Sequence, residues 1–453
     1  MTAAVHAGSS ENPLLVEWNT PFESPPFESI GLEHYRAAFE EAMERHERKV
    51  RAIHAQQSDP TFENTIAALD RSGGLLDRVS NVFFAMTSSM TNDDLQAIAK
   101  DIAPKLSQHR DEILLNEMLF QRIESVHDQR EELDLTAEQE KLLREYYKDF
   151  VRGGANLPPK EKERLKEINS RLSVLSVRFG ENVLKENNRF ELVIDDKADL
   201  AGLPDTVIAG ASETAKERGH EGKWVFTLHK PSMIPFLQYS EKRSLREKIY
   251  RGYINRGNHN DELDNKEILS EMAALRVERA KLLGYDTHAH YVLEDNMAKR
   301  PAEVYELLRD VWKPGLKRAK QEVVEMQQLI DEENGGFDLA SWDWWYYAEK
   351  LKQRKYKLDE EMLRPYFKLD NVLNGAFEVA NRLFGLTFHE RTDIPVYHDD
   401  VTVFQVKDAD GRHLGILYVD YFPRASKRGG AWMGEFRQQF RMNGEDKRPI
   451  IYN

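Results

Sequence analysis

Apolar residues recur at spacings of three and four along most of this chain, which is the repeat of one buried face of an α-helix. The clearest run comprises Leu165, Ile168, Leu172, Leu175, Phe179 and Val183. The same pattern predicts further helices at 32–148 (with short breaks), 231–283, 301–333 and 343–357. Pro314 falls inside the third of these stretches and is expected to kink or interrupt it, because proline removes a backbone hydrogen bond.

Shorter apolar runs with β-favouring residues indicate strands. Residues 190–194 and 224–228 are predicted to pair around a turn-rich connection, and three later strands are predicted at 386–389, 401–407 and 415–420. The chain is therefore predicted to be mainly α-helical with a small, late β-sheet. Asp420 ends the last of these strands, where at least one face should be buried, so it is expected to pair with Arg424 or Lys427.

Breaks in these patterns divide the chain into four regions. Residues 1–30 are rich in Pro, Ser and Glu and are predicted to form an extended N-terminal arm that covers the surface without building it. Residues 31–152 are predicted to form an N-terminal helical region, and residues 153–300 a helical region with a strand pair. Residues 301–453 carry helices followed by the small sheet. A chain of 453 residues is long enough for two or more lobes.

Composition excludes several classes of protein. The formal net charge of −14 argues against nucleic acid as a partner, and the absence of cysteine excludes a thiol nucleophile and a thiolate zinc site. No apolar run approaches the roughly 18 residues of a membrane span, so no membrane partner is expected. The N-terminal residues lack the charged and apolar regions of a signal peptide, and a cytoplasmic location is predicted.

The histidines do not stand at the spacing of a metal-binding helix. His46, His220 and His389 are each followed by glutamate, but none begins an HExxH motif. His288 and His290 stand two apart at the start of a predicted helix, which separates their side chains by about 200°, so they are interpreted as surface or capping residues. No catalytic residue and no metal ligand is predicted. Phosphate-binding loops, nucleophile elbows and dinucleotide fingerprints are missing from the sequence as well.

Several segments, taken in order, resemble one family of peptidases. They are NPLLVEWNTPFESPPF at 12–27, FENTIAAL at 62–69, LGYDTHAHYVLEDNMA at 283–298, LDNVLNGAFEVANRLFGLTF at 369–388 and LYVDYFPRASKRGGAWM at 417–433. Their order is similar to that of the thimet oligopeptidase family of zinc metallopeptidases, on the branches of peptidyl-dipeptidase Dcp and oligopeptidase A. The resemblance spans essentially the whole chain.

The resemblance implies a two-lobed, multi-helix fold around a channel that admits short peptides, the expected partners. It implies a zinc cofactor in the full-length family, held by HExxH and a downstream glutamate, and release of dipeptides from peptide C-termini. Because these residues contain no HExxH motif, the chain is expected to be the N-terminal part of such an enzyme. It is expected to stop before the zinc motif, to bind no metal and to be inactive alone. The alternatives are a non-catalytic peptide-binding helical protein and one half of a two-chain peptidase, whose partner would be the missing C-terminal segment or chain.

Two aromatic or glycine-rich segments are candidates for peptide binding. Gly429, Gly430, Ala431 and Trp432 are predicted to form an edge segment whose backbone pairs with an extended peptide, because glycine permits close approach. The alternative for these four residues is a tight turn with a packed tryptophan. The aromatic residues at 342–347 are interpreted as core packing, with lining of a peptide channel as the less favoured reading.

Overall fold

The computed structural model describes residues 11–442 and 444–453. The first ten residues of the predicted N-terminal arm, and with them most of the segment that argued against a signal peptide, lie outside the described residues.

Sixteen α-helices occur in the described part of the chain. They are α1 (Leu32–His54), α2 (Ala68–Asp70), α3 (Gly74–Ser89), α4 (Asp93–Leu114), α5 (Glu117–Asp128), α6 (Ala137–Gly153), α7 (Pro159–Arg189), α8 (Asp205–Glu217), α9 (Lys230–Tyr239), α10 (Arg243–Ile254), α11 (Lys266–Leu282), α12 (His288–Leu293), α13 (Pro301–Glu332), α14 (Trp344–Tyr356), α15 (Glu360–Leu363) and α16 (Leu369–Phe384). The prediction of a mainly α-helical chain is confirmed, and α7 contains the whole apolar run from Leu165 to Val183.

The expected interruption at Pro314 is wrong, because α13 continues through this residue, whereas a kink there stays a prediction. A proline removes one backbone hydrogen bond from the turn that precedes it. A helix of 32 residues retains the others.

Local side chains fix where several helices begin and end. The Asn92 side chain accepts a hydrogen bond from the Leu95 backbone N–H at 2.8 Å and so caps α4. Thr136 and Gln139 form a reciprocal capping box at the start of α6. Gly154, with a φ of 97°, ends that helix in the left-handed conformation that glycine adopts without strain.

The strands form one five-stranded sheet and two small pairs. They are β1 (Leu192–Ile194), β2 (Trp224–Phe226), β3 (Thr387–Glu390), β4 (Thr402–Lys407), β5 (His413–Val419), β6 (Gly434–Arg437), β7 (Phe440–Met442), β8 (Glu445–Lys447) and β9 (Ile450–Tyr452). The sheet order is β3-β4-β5-β9-β6, with β5 and β9 parallel and the other neighbours antiparallel. β1 pairs with β2 as predicted, although the connection between them contains α8.

The described chain divides into two compact units. The first comprises the described residues up to 178, together with 278–284 and 377–453. Its core joins apolar residues of α1, α3 and α4 to Tyr418, Phe436 and Ile450 of the sheet. Leu14 of the N-terminal arm is fully buried in this core and Trp18 is nearly so. The expectation that the arm only covers the surface is therefore wrong, because these two side chains bury apolar area in the core.

The second unit comprises residues 179–277 and 285–376. At its centre Asp343 is fully buried and receives Nη2 of Arg246 at 2.7 Å and Nη2 of Arg243 at 2.9 Å. The Tyr346 ring stacks on the Arg246 guanidinium at 4.2 Å. Trp344, Tyr346 and Tyr347 pack against the C-terminal part of α13, which confirms the predicted packing for these three residues, whereas Trp345 is 41% exposed.

Candidate peptide-binding segment

Asp420 lies directly after β5 and is buried with two basic partners. Arg424 donates to both carboxylate oxygens, from Nη1 to Oδ1 at 2.8 Å and from Nη2 to Oδ2 at 2.7 Å. Lys427 Nζ lies 3.0 Å from Oδ1, and the Tyr397 hydroxyl donates to Oδ2 at 3.1 Å. The predicted pairing of Asp420 is confirmed, with both candidate residues as partners.

Asp420 and Arg424 hold their charges at neutral pH. Burial raises the pKa of the Asp420 carboxyl, but the hydrogen bonds from Arg424 and Lys427 outweigh it and hold the pKa below its ordinary value. Burial by itself would lower the pKa of the Arg424 guanidinium. The hydrogen bond to Asp420 outweighs burial, so the pKa lies above its usual value. Burial and the nearby carboxylate raise the pKa of Tyr397, so its hydroxyl stays a donor.

The same cluster ties residues 420–428 to the C-terminal end of α3. Arg424 donates from Nε and Nη2 to the Ser89 carbonyl at 3.1 and 2.9 Å. The Arg428 backbone N–H donates to the Ser88 carbonyl at 2.8 Å. Carbonyl groups in the last turn of a helix have no partner within the helix, so these contacts satisfy them. The loop is thus held on one side by a helix end and on the other by the sheet.

The four residues selected from the sequence follow this anchored loop. Gly429, Gly430 and Ala431 are exposed, and Trp432 is half-buried. A methyl group added to either glycine would meet no atom within 4 Å, so neither glycine is required for packing inside the chain. Gly430 has a φ of 118°, a backbone conformation that other residues rarely adopt. The Arg428 guanidinium lies over the Trp432 ring, 4.7 Å from its centroid.

β6 starts two residues after Trp432 and forms one edge of the five-stranded sheet. It pairs with β9, where Gly434 lies opposite Tyr452, and a Cβ at Gly434 would stand 2.4 Å from the tyrosine hydroxyl oxygen. Glycine is therefore required at this position. The other side of β6 has no strand partner within 11–442 and 444–453. Unpaired N–H and C=O groups at a sheet edge can bind an extended peptide.

Residues 429–432 precede β6 in the chain and lie outside its ladder with β9. Their role in peptide binding therefore stays a prediction. Sequence reasoning missed Arg428, because a spacing of four signals a contact only on a helix and residues 428–432 are not helical. It also missed Ser88 and Ser89, for which the sequence carries no signal, because they lie more than 300 positions from the loop they hold.

The described residues do not fit a zinc site. Within residues 11–442 and 444–453, no group of three or more His, Asp or Glu side chains is arranged to hold a metal ion. Thr287 caps α12 through the His290 backbone N–H at 3.3 Å, and its hydroxyl lies 2.9 Å from His290 Nδ1. This arrangement supports the interpretation of His290 as part of a helix cap.

Comparison with known proteins identifies the family. Residues 236–453 match the model of peptidase family M3. The chain is 40% identical over 443 residues to the dipeptidyl carboxypeptidase of Escherichia coli (strain K12), a match that covers 98% of this chain and 65% of that relative. It is 33% identical to oligopeptidase A of the same organism, over 97% of this chain and 65% of the relative. It is 30% identical to the organellar oligopeptidase A of Arabidopsis thaliana, over 94% of this chain and 54% of the relative.

The chain belongs to peptidase family M3, and the resemblance found in the sequence is confirmed. It spans 65% of the length of the two E. coli relatives. In the part of the chain that the structure describes, no helix is long and apolar enough to cross a membrane.

Proposed function

We propose that these 453 residues form the peptide-binding part of a zinc-dependent peptidase that releases dipeptides from the C-termini of short peptides in the cytoplasm. The observation that carries this proposal is the 40% identity to a dipeptidyl carboxypeptidase over 98% of the chain. In such an enzyme zinc, when bound, polarises the scissile carbonyl and lowers the pKa of water. Because the described residues offer no ligand set, we assign the metal to residues outside these 453 and expect the chain alone to be inactive.

The contribution of this chain is to hold an extended peptide through its backbone. The free edge of β6 offers N–H and C=O groups, and the exposed Gly429 and Gly430 leave room for a peptide main chain to approach. Backbone pairing does not depend on side-chain identity, which suits an enzyme that accepts varied peptides. Asp420, with Arg424 and Lys427, positions this segment and does not itself contact the peptide.

Arg428 and Trp432 are proposed to recognise the end of the peptide. The indole ring holds the guanidinium next to the two glycines, where it can accept a carboxylate in a charge-assisted pair. Arg428→Ala should therefore weaken binding of peptides with a free C-terminal carboxylate more than binding of the same peptides amidated at the C-terminus. Equal weakening for both peptide forms would show that Arg428 does not recognise the carboxylate.

One observation favours an enzyme with a further segment over a free-standing binding protein. α16 has a strongly amphipathic sequence, yet none of its residues is buried. Val379, Leu383 and Phe384 on this helix are 56%, 68% and 68% exposed. Large exposed apolar surfaces mark places where another chain or segment packs. A two-chain peptidase remains the second candidate function, because a separate chain would cover the same surface.

The catalytic part of the proposal is tested by an assay of dipeptide release with the 453-residue chain, with and without added zinc. We expect no chelator-sensitive turnover from the chain alone. Turnover should appear when the part of the E. coli dipeptidyl carboxypeptidase that this chain does not match is added as a second polypeptide. Turnover by the chain alone would refute the assignment of the metal site, and no turnover from the mixture would refute the proposed activity.

The binding part is tested with a fluorescent short peptide and one substitution that fills the open space. Gly429→Leu should weaken peptide binding about tenfold or more, because the side chain occupies the approach to the edge segment. Gly210→Leu is the matched control, since Gly210 is exposed on α8 and an added Cβ there also meets no atom within 4 Å. Equal affinity of the two variants would show that the peptide binds elsewhere.

A further inference from the structure

An apolar stripe runs along α13 and is exposed over more than a third of each of its side chains. It consists of Tyr305, Leu308, Trp312, Leu316 and Val323, whose spacings of three, four, four and seven place them on one helical face. Their exposed fractions are 57%, 54%, 68%, 38% and 39%. Isolated exposed apolar residues are ordinary, but a continuous face of this kind is typical of a packing surface.

The apolar stripe continues directly into an interface that the structure does contain. Met326 and Ile330 follow Val323 at spacings of three and four on the same face, and they are 1% and 0% exposed. These two residues pack against Tyr347 of α14. The same face is therefore covered at the C-terminal end of α13 and bare over the preceding turns, so a further element should cover the rest of it.

Three lysines border the apolar stripe, on the side of α13 where Glu306 and Asp310 precede them. Lys313, Lys317 and Lys320 lie on one side of it, about 80–140° around the helix from Trp312. All three are exposed and form no ion pair with any described residue. Arg318, on another face, is already paired with Glu322 at 2.9 Å. The surface thus combines an apolar seam with a row of free positive charge, which is complementary to an acidic amphipathic helix.

We propose that the apolar stripe binds an acidic amphipathic helix from the zinc-bearing segment of the peptidase. This inference rests on the proposed function, in which that segment lies outside these residues. The stripe from Tyr305 to Val323 is about 27 Å long, which corresponds to a partner helix of about 18 residues.

Two observations favour this occupant over a second copy of the chain. The matched relatives extend beyond the aligned region by about a third of their length, which is ample for a covering helix. Two copies packed on this face would also bring two rows of free lysines together, and like charges oppose association.

The test measures binding of the unmatched part of the E. coli dipeptidyl carboxypeptidase to this chain by calorimetry, which needs no probe at Trp312. The charge variant is Lys313→Glu, Lys317→Glu and Lys320→Glu together. Its matched control is Lys160→Glu, Lys357→Glu and Lys368→Glu, because these lysines are also exposed and form no ion pair with described residues. The apolar variant is Trp312→Ser, which removes an exposed side chain and should leave the thermal unfolding of the chain unchanged.

We expect the charge variant to bind about tenfold more weakly than the control at low salt, with the difference shrinking as salt screens the charges. The apolar variant should weaken binding at all salt concentrations. A synthetic 18-residue helix with a leucine seam and flanking glutamates should compete, whereas the same helix with lysines in place of glutamates should not.

Three results would overturn the inference. They are equal binding by the charge variant and its control, no binding of the added segment, and a dimer of the chain that Trp312→Ser abolishes. Dipeptide release is recorded in the same mixtures, which separates the two proposals. Stripe-dependent binding without turnover would refute only the proposed function, whereas turnover that is indifferent to the stripe variants would refute only the docking inference.

Discussion

Replacing Asp111 by asparagine is expected to stabilise the protein at neutral pH and to change little at acidic pH. Asp111 lies on α4, is 4% exposed, and accepts a hydrogen bond at Oδ1 from Asn169 Nδ2 at 2.9 Å. Its Oδ2 has no hydrogen-bond partner among the described residues. Asparagine keeps the accepting oxygen and removes a buried negative charge.

The size of the effect follows from the shifted pKa. Burial raises the pKa of Asp111 from 3.8 to about 6, although the bond from Asn169 and the positive charges of Arg110, Lys166 and Arg279 partly oppose the rise. A shift of roughly two units corresponds to at most about 3 kcal/mol of folding free energy. Because the folded state holds the proton more tightly than the unfolded state, this cost is absent below pH about 4 and complete above pH about 6.

Urea unfolding of the unchanged protein and of the Asp111→Asn variant, followed by tryptophan fluorescence at about pH 4, 5, 6 and 7.5, measures the difference in their free energies of unfolding. Other groups titrate in this range, but they contribute equally to both proteins and cancel. Glu112→Gln is the matched control, since Glu112 is exposed on the same helix and should change stability by less than about 0.5 kcal/mol. A stability difference that does not grow with pH, or an Asp111→Asn protein less stable at pH 7.5, would refute the reasoning.

Three further changes address other ionisable groups. Asp343→Asn should destabilise the protein by about 3–5 kcal/mol in urea unfolding, because Arg246 would stay buried without its anion; a loss below about 1 kcal/mol would contradict this. Burial, then the charge of His109, lowers the pKa of His46 to about 4. The unfolded chain therefore binds this proton more tightly, and the free energy of unfolding should fall by up to about 3 kcal/mol from pH about 6.5 to 4. His46→Gln should flatten this dependence of stability on pH. An unchanged dependence would exclude His46 as its source. Asp420→Asn should release the loop at 420–428 and speed tryptic cleavage there several-fold, whereas an unchanged cleavage rate would show that other contacts hold it.

Helices were predictable from the sequence where one face is apolar over several turns. The run from Leu165 to Val183 specifies α7 because a spacing of three and four has few alternatives over such a length. Pro314 shows the limit of local rules, since a helix of 32 residues tolerates the loss of one hydrogen bond. The strands β6, β7, β8 and β9 were not predicted. They are three or four residues long, β6 and β8 are partly charged, and pairing with distant neighbours defines them.

In the candidate segment, too, local contacts were predictable from the sequence and distant contacts were not. Asp420 and its partners Arg424 and Lys427 were predictable, because all three lie within eight residues and a buried carboxylate requires a counter-charge. The contact of Arg424 with Ser89 was not predictable, since it joins positions 335 residues apart. The free edge of β6 depends in turn on β9 lying between β5 and β6.

The sequence by itself determined the family, the helical character of the chain and the missing HExxH motif, because these depend on residue identity and short spacings. Only the tertiary structure decided that Leu14 lies in a core, that β6 is an edge strand, and that the stripe on α13 is exposed. Burial and exposure are properties of segments packed together from distant parts of the chain, and no local pattern specifies which surfaces remain uncovered.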